Sequence, residues 1–234
     1  MSILSSPVFG IFISIVTFQI GLLLKRRFKN DLFNPLLLAM FMIIGILTFF
    51  KIPYTSYKVG GDYIHFFLSP LTVALGVMLY RQRQMIKHHF ISLVIGITSG
   101  VITSFFSIYA LGRMLHLSDR MLLSALPKSI TTPMAISLTT ILGGDVPLTI
   151  ILVVITGMSG AFIAPFMVKL FPNFNAISKG IGIGTASHAV GTSKALELGE
   201  EEGAFSSSAI AIAGLITVIL VPFLARFMGL ISFF

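Results

Sequence analysis

GIGIGTASHAVGTSKALELGEEEG, residues 180–203, decides how the rest of this sequence is interpreted. The stretch is long enough to cross a membrane as a helix, yet its centre is polar, with Ser187 and His188 followed by Thr192 and Lys194. An unpaired polar group in the hydrocarbon layer costs several kcal/mol, so an ordinary membrane helix avoids such residues. We therefore predict a broken membrane helix that lines a site.

The composition indicates a membrane protein. Hydrophobic residues make up 56% of the 234 residues and charged residues only 10%, whereas soluble domains carry about 25% charged residues. Mean hydropathy is +1.00. Apolar runs near 20 residues fit helices that cross a hydrocarbon core of about 30 Å. We predict an all-α, polytopic helical membrane protein whose partner is the lipid bilayer, and the lack of cysteine excludes disulfides.

The net charge of +8 is placed at the ends of apolar runs. One basic cluster occupies residues 25–29 and another residues 81–89, each directly after such a run. Basic clusters at helix ends mark cytoplasmic loops. The charge is therefore a topology signal, and we expect no nucleic-acid partner.

Eight apolar runs follow one another, and an external loop rich in Tyr, Pro and Gly is expected at residues 51–62. The runs cover residues 8–24, 33–50, 63–80, 90–111, 121–143, 146–168, 180–203 and 204–227. Two topologies remain open. If the fifth and seventh runs cross fully, there are eight crossings. If they re-enter, about six continuous transmembrane helices accompany two broken or re-entrant helices, over residues 121–143 and 180–198.

The chain is expected to form a single membrane domain, 1–234, with scaffold and oligomer helices in residues 1–61 and a core in residues 62–234. An internal repeat is also predicted, although chance similarity between apolar helices is an alternative. At an offset of 57 residues, three positions of the sixth run and its end align with the eighth run: Gly157 with Gly214, Pro165 with Pro222 and Lys169 with Arg226. Secondary transporters place broken helices in corresponding repeats around a midplane site.

The two broken helices supply the candidate substrate-binding residues. A helix interrupted within the membrane exposes backbone N–H groups that attract anions. The fifth run contains LPKSITTP, whose two prolines bracket Lys128, Ser129, Thr131 and Thr132. The seventh run adds Ser187, His188, Gly191, Thr192 and Lys194, and its second half-helix is expected to begin near Gly191 and Thr192. Acidic residues are scarce in both, so we predict an electropositive site for a small carboxylate.

Each of these residues has a structural alternative. Ser and Thr in membrane helices often bond the carbonyl four residues back, and lysines near helix ends extend to the interface. The small residues of the fourth run, Gly96, Ser99, Gly100 and Thr103, favour a close-packing face. The motifs HExxH, GxSxG and the P-loop are absent. We expect no catalysis, no cofactor and no metal site.

The sequence also resembles the LrgB/CidB family of bacterial membrane proteins. The resemblance rests on residues 184–195 and 203–207, on LPKSITTP at 126–133, on the KVGG segment at 58–61 and on residues 69–80. It covers essentially the whole chain and lies nearer the CidB side.

The resemblance implies a multi-pass protein of the bacterial cytoplasmic membrane, linked to antiholin-like control of murein hydrolase activity and cell lysis. It also implies a small LrgA/CidA-like membrane partner. Relatives are linked to pyruvate uptake, and a plastid relative exchanges glycolate and glycerate. We expect a transporter for small monocarboxylates that forms a homo-oligomer, with a dimer favoured. The alternative is a holin-like or antiholin-like regulator that acts through oligomer or pore formation.

Overall fold

The computed structural model consists of helices and their connections, with no strand among its described residues, which are 6–28, 35–67, 70, 73, 77, 80, 81 and 83–231. Side chains are described in these ranges except at positions 36 and 37. The helices are α1 Pro7–Phe28, α2 Pro35–Phe49, α3 Tyr54–Phe66, α4 Arg83–His88, α5 Phe90–Met114, α6 Asp119–Ala125, α7 Thr132–Leu142, α8 Val146–Leu170, α9 Ala176–Leu198 and α10 Glu200–Phe227.

Among the described helices, α1, α5, α8 and α10 are long and apolar enough to cross a membrane. Shorter apolar helices are Leu38–Phe49 and α7. A helix of 25 residues, such as α8, is about 37 Å long and exceeds the hydrocarbon core of about 30 Å. The chain is therefore a helical membrane protein. The total number of crossings and the internal repeat stay predictions.

The chain divides into two compact units, Met1–Ala74 and Leu75–Phe234. In the first unit α1 packs against α2 and α3. The backbones of α1 and α3 touch at two glycines, since a Cβ on Gly60 would lie 2.6 Å from the Cα of Gly10. Beside this contact the hydroxyls of Ser14 and Tyr57 lie 3.0 Å apart. The division into a scaffold and a core stays a prediction.

The loop expected at 51–62 is wrong, because most of these residues belong to α3, while their external position stays a prediction. Pro53 has φ −60° and ψ 137° and precedes the helix, where its missing N–H costs nothing. Gly60 does not form a turn but allows the close approach to α1. The Lys58 ammonium and the Asp62 carboxylate, four residues apart, form an ion pair at 2.5 Å on the helix surface.

The third predicted run, 63–80, begins within α3. The residues beyond Phe67 lie largely outside the described ranges, including Ser69 of the resemblance motif.

In the second unit α9 packs mainly on α10 and also contacts α8 and α5. Gly180 and Gly184 allow the contact with α10. A Cβ on Gly180 would lie 2.7 Å from the Cβ of Phe205, and one on Gly184 would lie 2.9 Å from the Cα of Ser206. The alternation of glycine with isoleucine thus serves helix packing on one side of α9.

The predicted packing face of α5 is confirmed on its α9 side. A Cβ on Gly96 would lie 3.2 Å from Cγ2 of Ile181, and one on Gly100 would lie 2.9 Å from Cγ2 of Thr185. The small residues therefore allow α5 to approach α9 closely.

Two interruptions fall within the stretches expected to be broken. Between α6 and α7, residues 126–131 leave the helical path, and Thr131 caps α7 in an extended conformation with φ −64° and ψ 146°. Within α9, His188 is non-helical, with φ 42° and ψ −140°. The second break lies three residues before the position expected from Gly191 and Thr192, because a histidine and not a glycine adopts the positive φ.

Candidate functional site

Two cavities flank the N-terminal half of α9. The first has a volume of about 620 Å³ and lies between α5 and α9, near the α6–α7 connection. The second has a volume of about 540 Å³ and lies between α8 and α9. Lys128, Gly182 and Ala186 border both cavities. Gly182 and Ala186 thus form a ridge of small residues between them, and a Cβ on Gly182 would meet open space.

Hydroxyl groups are the prominent polar feature of the first cavity. Four come from α5, and the others from the α6–α7 connection, α9 and α10: Ser99, Thr103, Ser104, Ser107, Ser129, Thr185 and Thr217. Hydroxyls both donate and accept hydrogen bonds, so this lining suits a small polar ligand.

Lys128 supplies the positive charge of this site. Its Nζ donates a hydrogen bond of 3.2 Å to Ser129 Oγ, and both residues lie in the non-helical connection between α6 and α7. No aspartate or glutamate of the described residues lines either cavity. The half-buried ammonium therefore makes the shared border electropositive.

Thr185 has an unusual hydroxyl. The residue lines the first cavity and is 8% exposed, yet its Oγ1 is buried without a hydrogen-bond partner among the described residues. A buried unsatisfied polar group costs about 1–3 kcal/mol. The Cγ2 methyl of the same side chain faces Gly100 of α5, and the hydroxyl is covered in the observed arrangement.

The side chains at the break in α9 form hydrogen bonds within α9 and to the neighbouring helices α8 and α10. His188 Nε2 lies 3.0 Å from the carbonyl oxygen of Val153 on α8, and a carbonyl only accepts, so Nε2 carries the hydrogen. Thr192 Oγ1 donates to the carbonyl oxygen of His188 at 3.0 Å and accepts from Ser206 Oγ at 2.7 Å. The carbonyl four residues back is thus the partner of Thr192, as the structural alternative anticipated.

Three of the nine predicted site residues line the cavities: Lys128 borders both, Ser129 lines the first and Ser187 lines the second. The other six do not line either cavity. They are Thr131 and Thr132 at the start of α7, His188, Gly191 and Thr192 inside the α9 packing, and Lys194.

Lys194 differs from Lys128 in its electrostatic surroundings. Its Nζ donates to Glu197 Oε2 at 2.8 Å, one turn further along α9. The carboxylate balances the charge of this lysine. Lys194 stays a predicted site residue, but it lies outside the two cavities, whereas Lys128 borders both.

Sequence reasoning missed two features of the first cavity. Ser99 and Thr103 of α5 were interpreted as packing residues, although together with Ser107 they recur every fourth position and so share one face. That spacing was the available signal. Thr185 lies within the stretch 180–203 but was not selected as a site residue, and nothing in the sequence shows that its hydroxyl has no partner.

The comparisons with known proteins agree on one family. The model of the LrgB-like family matches residues 14–227. The chain is 35% identical over 225 residues to the antiholin-like protein LrgB of Bacillus subtilis (strain 168), covering 96% of this chain and 97% of the relative. It is 30% identical over 219 residues to the uncharacterized protein YwbG of the same strain, covering 94% and 97%. No solved structure matches.

Proposed function

We propose that this chain, which belongs to the LrgB-like family, is a transporter or facilitator for small monocarboxylates in the bacterial cytoplasmic membrane. The antiholin-like character and the link to murein hydrolase regulation fit this family. It is a family of regulatory or transport membrane proteins and not a known enzyme family. A change in carboxylate flux would connect the two roles.

The observation that carries the proposal is the position of Lys128. Its ammonium borders a cavity of about 620 Å³ whose polar lining consists of hydroxyls and includes no carboxylate among the described residues. A small carboxylate needs one positive charge and a few hydrogen-bond donors. Lys128 and the hydroxyls of this cavity can supply both. An ionisable residue inside a membrane protein generally marks a substrate path.

The place of Lys128 between the two cavities fits a transporter with broken helices. Lys128, Gly182 and Ala186 border both cavities, so a ligand held at Lys128 would stand at the boundary between them. In transporters with broken helices the substrate binds at such interruptions. We assign ligand contact to Lys128, Ser129 and the neighbouring hydroxyls of α5, and a supporting role to His188 and Thr192.

The assembly belongs to the same proposal. We expect a multi-pass homo-oligomer, with a dimer favoured, and a small LrgA/CidA-like partner. The rival function is a holin-like or antiholin-like regulator that works by assembly alone. Such a regulator does not need a charged cavity. Removing the charge of Lys128 therefore distinguishes the transporter from the regulator.

A pair of lysine substitutions tests the function. Purified protein in proteoliposomes is assayed for uptake of pyruvate, lactate, acetate and glycolate. Lys128→Gln should weaken uptake about 10- to 150-fold, because a hydrogen bond to a charged group contributes about 1.5–3 kcal/mol. Lys194→Gln is the matched control and should retain uptake, since Lys194 pairs with Glu197 outside the cavities.

Each outcome has a clear meaning when size-exclusion profiles show that both variants are folded. Equal loss in the two variants would refute the assignment of the site to Lys128. Absence of uptake of all four acids by the unaltered protein would favour the regulatory function.

A further inference from the structure

The second cavity has a different chemical character from the first. Its walls are formed largely by apolar side chains, among them Ile155, Ile163, Met167 and Val168 of α8 and Ile183 of α9. A small carboxylate gains nothing from such walls, because its charge needs polar partners. An occupant with a long apolar portion matches them better.

The dimensions of this groove match an acyl chain. Its α8 residues extend from Ile155 to Val168, which is about 20 Å along the helix axis at 1.5 Å per residue. One leaflet of the hydrocarbon core is about 15 Å thick. Ile163 and Met167 also remain partly exposed, so the groove is open on the side of α8 that faces its surroundings.

One end of the groove carries the features of a membrane–water interface. The rings of Phe171 and Phe174 stack with centroids 5.1 Å apart in the connection between α8 and α9, and both rings line the groove. Lys179 lines it one turn into α9. A lysine at the end of an apolar helix places its ammonium at headgroup level, whereas the phenylalanine rings add apolar surface to the groove.

The charge at this end is positive. No acidic residue among the described ones lines the groove. The opposite end is bordered by Lys128, whose Nζ bonds Ser129 of the first cavity. Lys179 is therefore the cation available to a headgroup.

We propose that this groove binds an anionic membrane lipid, with its acyl chain between α8 and α9 and its headgroup at Lys179. The site is separate from carboxylate transport, and its occupancy does not depend on the proposed function. A zwitterionic lipid offers Lys179 no net charge, and a free fatty acid lacks the phosphate group.

The chain contains no tryptophan, which permits a test by fluorescence quenching. Met167→Trp places a single reporter in the groove. Phe166→Trp is the matched control, because Phe166 is the adjacent residue of α8, is 62% exposed and does not line the groove. Both variants are reconstituted with brominated phosphatidylglycerol or brominated phosphatidylcholine at equal mole fractions.

We expect the anionic lipid to quench the Met167→Trp reporter at about fivefold lower mole fraction than the zwitterionic lipid, as one lysine near an anionic headgroup would give. The Phe166→Trp reporter should show no such preference. Adding Lys179→Gln to Met167→Trp should remove the preference.

Equal quenching by both lipids in Met167→Trp would overturn the proposal, because it would show that the groove contacts bilayer lipid without selectivity. A preference that survives Lys179→Gln would overturn the headgroup position. Quenching by a brominated fatty acid but not by phosphatidylglycerol would overturn the assignment to a membrane lipid.

Native mass spectrometry of the unaltered chain and of Lys179→Gln gives a second readout. Only the unaltered chain should retain phosphatidylglycerol, and equal retention would contradict the site.

Discussion

Replacement of Thr185 by valine should stabilise the protein. Thr185 Oγ1 is buried without a partner, and such a group costs about 1–3 kcal/mol. Valine keeps the β-branched shape and the methyl group that faces Gly100, and it replaces the hydroxyl with a methyl of similar size. The free energy of unfolding should therefore rise by about 1–3 kcal/mol, against the usual direction for a buried substitution.

Thr192→Val is the matched control, seven residues further along the same helix. Thr192 Oγ1 bonds both the His188 carbonyl oxygen and the Ser206 hydroxyl. Valine removes both bonds and leaves the Ser206 hydroxyl, which is 0% exposed, without this partner. The free energy of unfolding should fall by about 1–3 kcal/mol. The same chemical change thus has opposite effects at two positions.

Thermal unfolding of both variants in one detergent measures the difference. One kcal/mol shifts Tm by about 2–4 °C in a chain of this size. Thr185→Val should unfold above the unaltered protein and Thr192→Val below it. A Thr185→Val protein that melts below the unaltered one, or two variants that shift in the same direction, would refute this account of Thr185.

The same substitution has a consequence for the proposed transport. A hydroxyl that is unsatisfied in the observed arrangement favours any arrangement that supplies a partner for it. Valine has no hydroxyl to satisfy, so it removes this preference and should favour the observed arrangement, in which α9 packs against α5. Uptake by Thr185→Val in proteoliposomes should therefore fall while Tm rises, whereas a residue that only packs would leave uptake unchanged.

Two further predictions concern backbone geometry. Gly60→Ala should lower Tm, because its Cβ would lie 2.6 Å from the Cα of Gly10, while Gly61→Ala should leave Tm unchanged, since its nearest contact would be an ordinary 3.7 Å; equal Tm values would contradict the helix crossing. His188→Gly should be more stable than His188→Ala by about 1 kcal/mol in thermal or denaturant unfolding, because φ is 42° and glycine adopts positive φ without strain. If His188→Ala is instead the more stable of the two variants, as expected in a regular helix, residue 188 is not held in this conformation.

The membrane class and the break in the fifth run could be predicted from local chemistry. The break at 126–131 contains Pro127, and α7 begins at Thr132 with Pro133 in its first turn, a position where proline favours the start of a helix. Hydropathy alone marks α1, α5, α8 and α10 as long apolar helices. These features depend on residues close together in sequence, so a single sequence contains them.

The break in α9 could not be placed in the same way. Glycine was the expected site because it adopts positive φ at no cost. The structure instead has His188 there, with its ring bonded to Val153, 35 residues away. This hydrogen bond, between residues far apart in sequence, compensates the backbone strain at His188. A local sequence pattern cannot predict it. The helix at 51–62 was missed for the same reason, since Gly60 serves a crossing with α1 rather than a turn.

The two lysines show where sequence reasoning could have gone further. Lys194 lies on a helix with Glu197 three residues on, and that spacing alone brings the two charges together. Lys128 lies between two helices, so it has no neighbour at helical spacing to pair with and turns to Ser129. In a membrane protein a lysine on a regular helix can be balanced by its own turn, whereas a lysine in a break must find a partner elsewhere. This difference is why we assign the proposed carboxylate contact to Lys128 and not to Lys194.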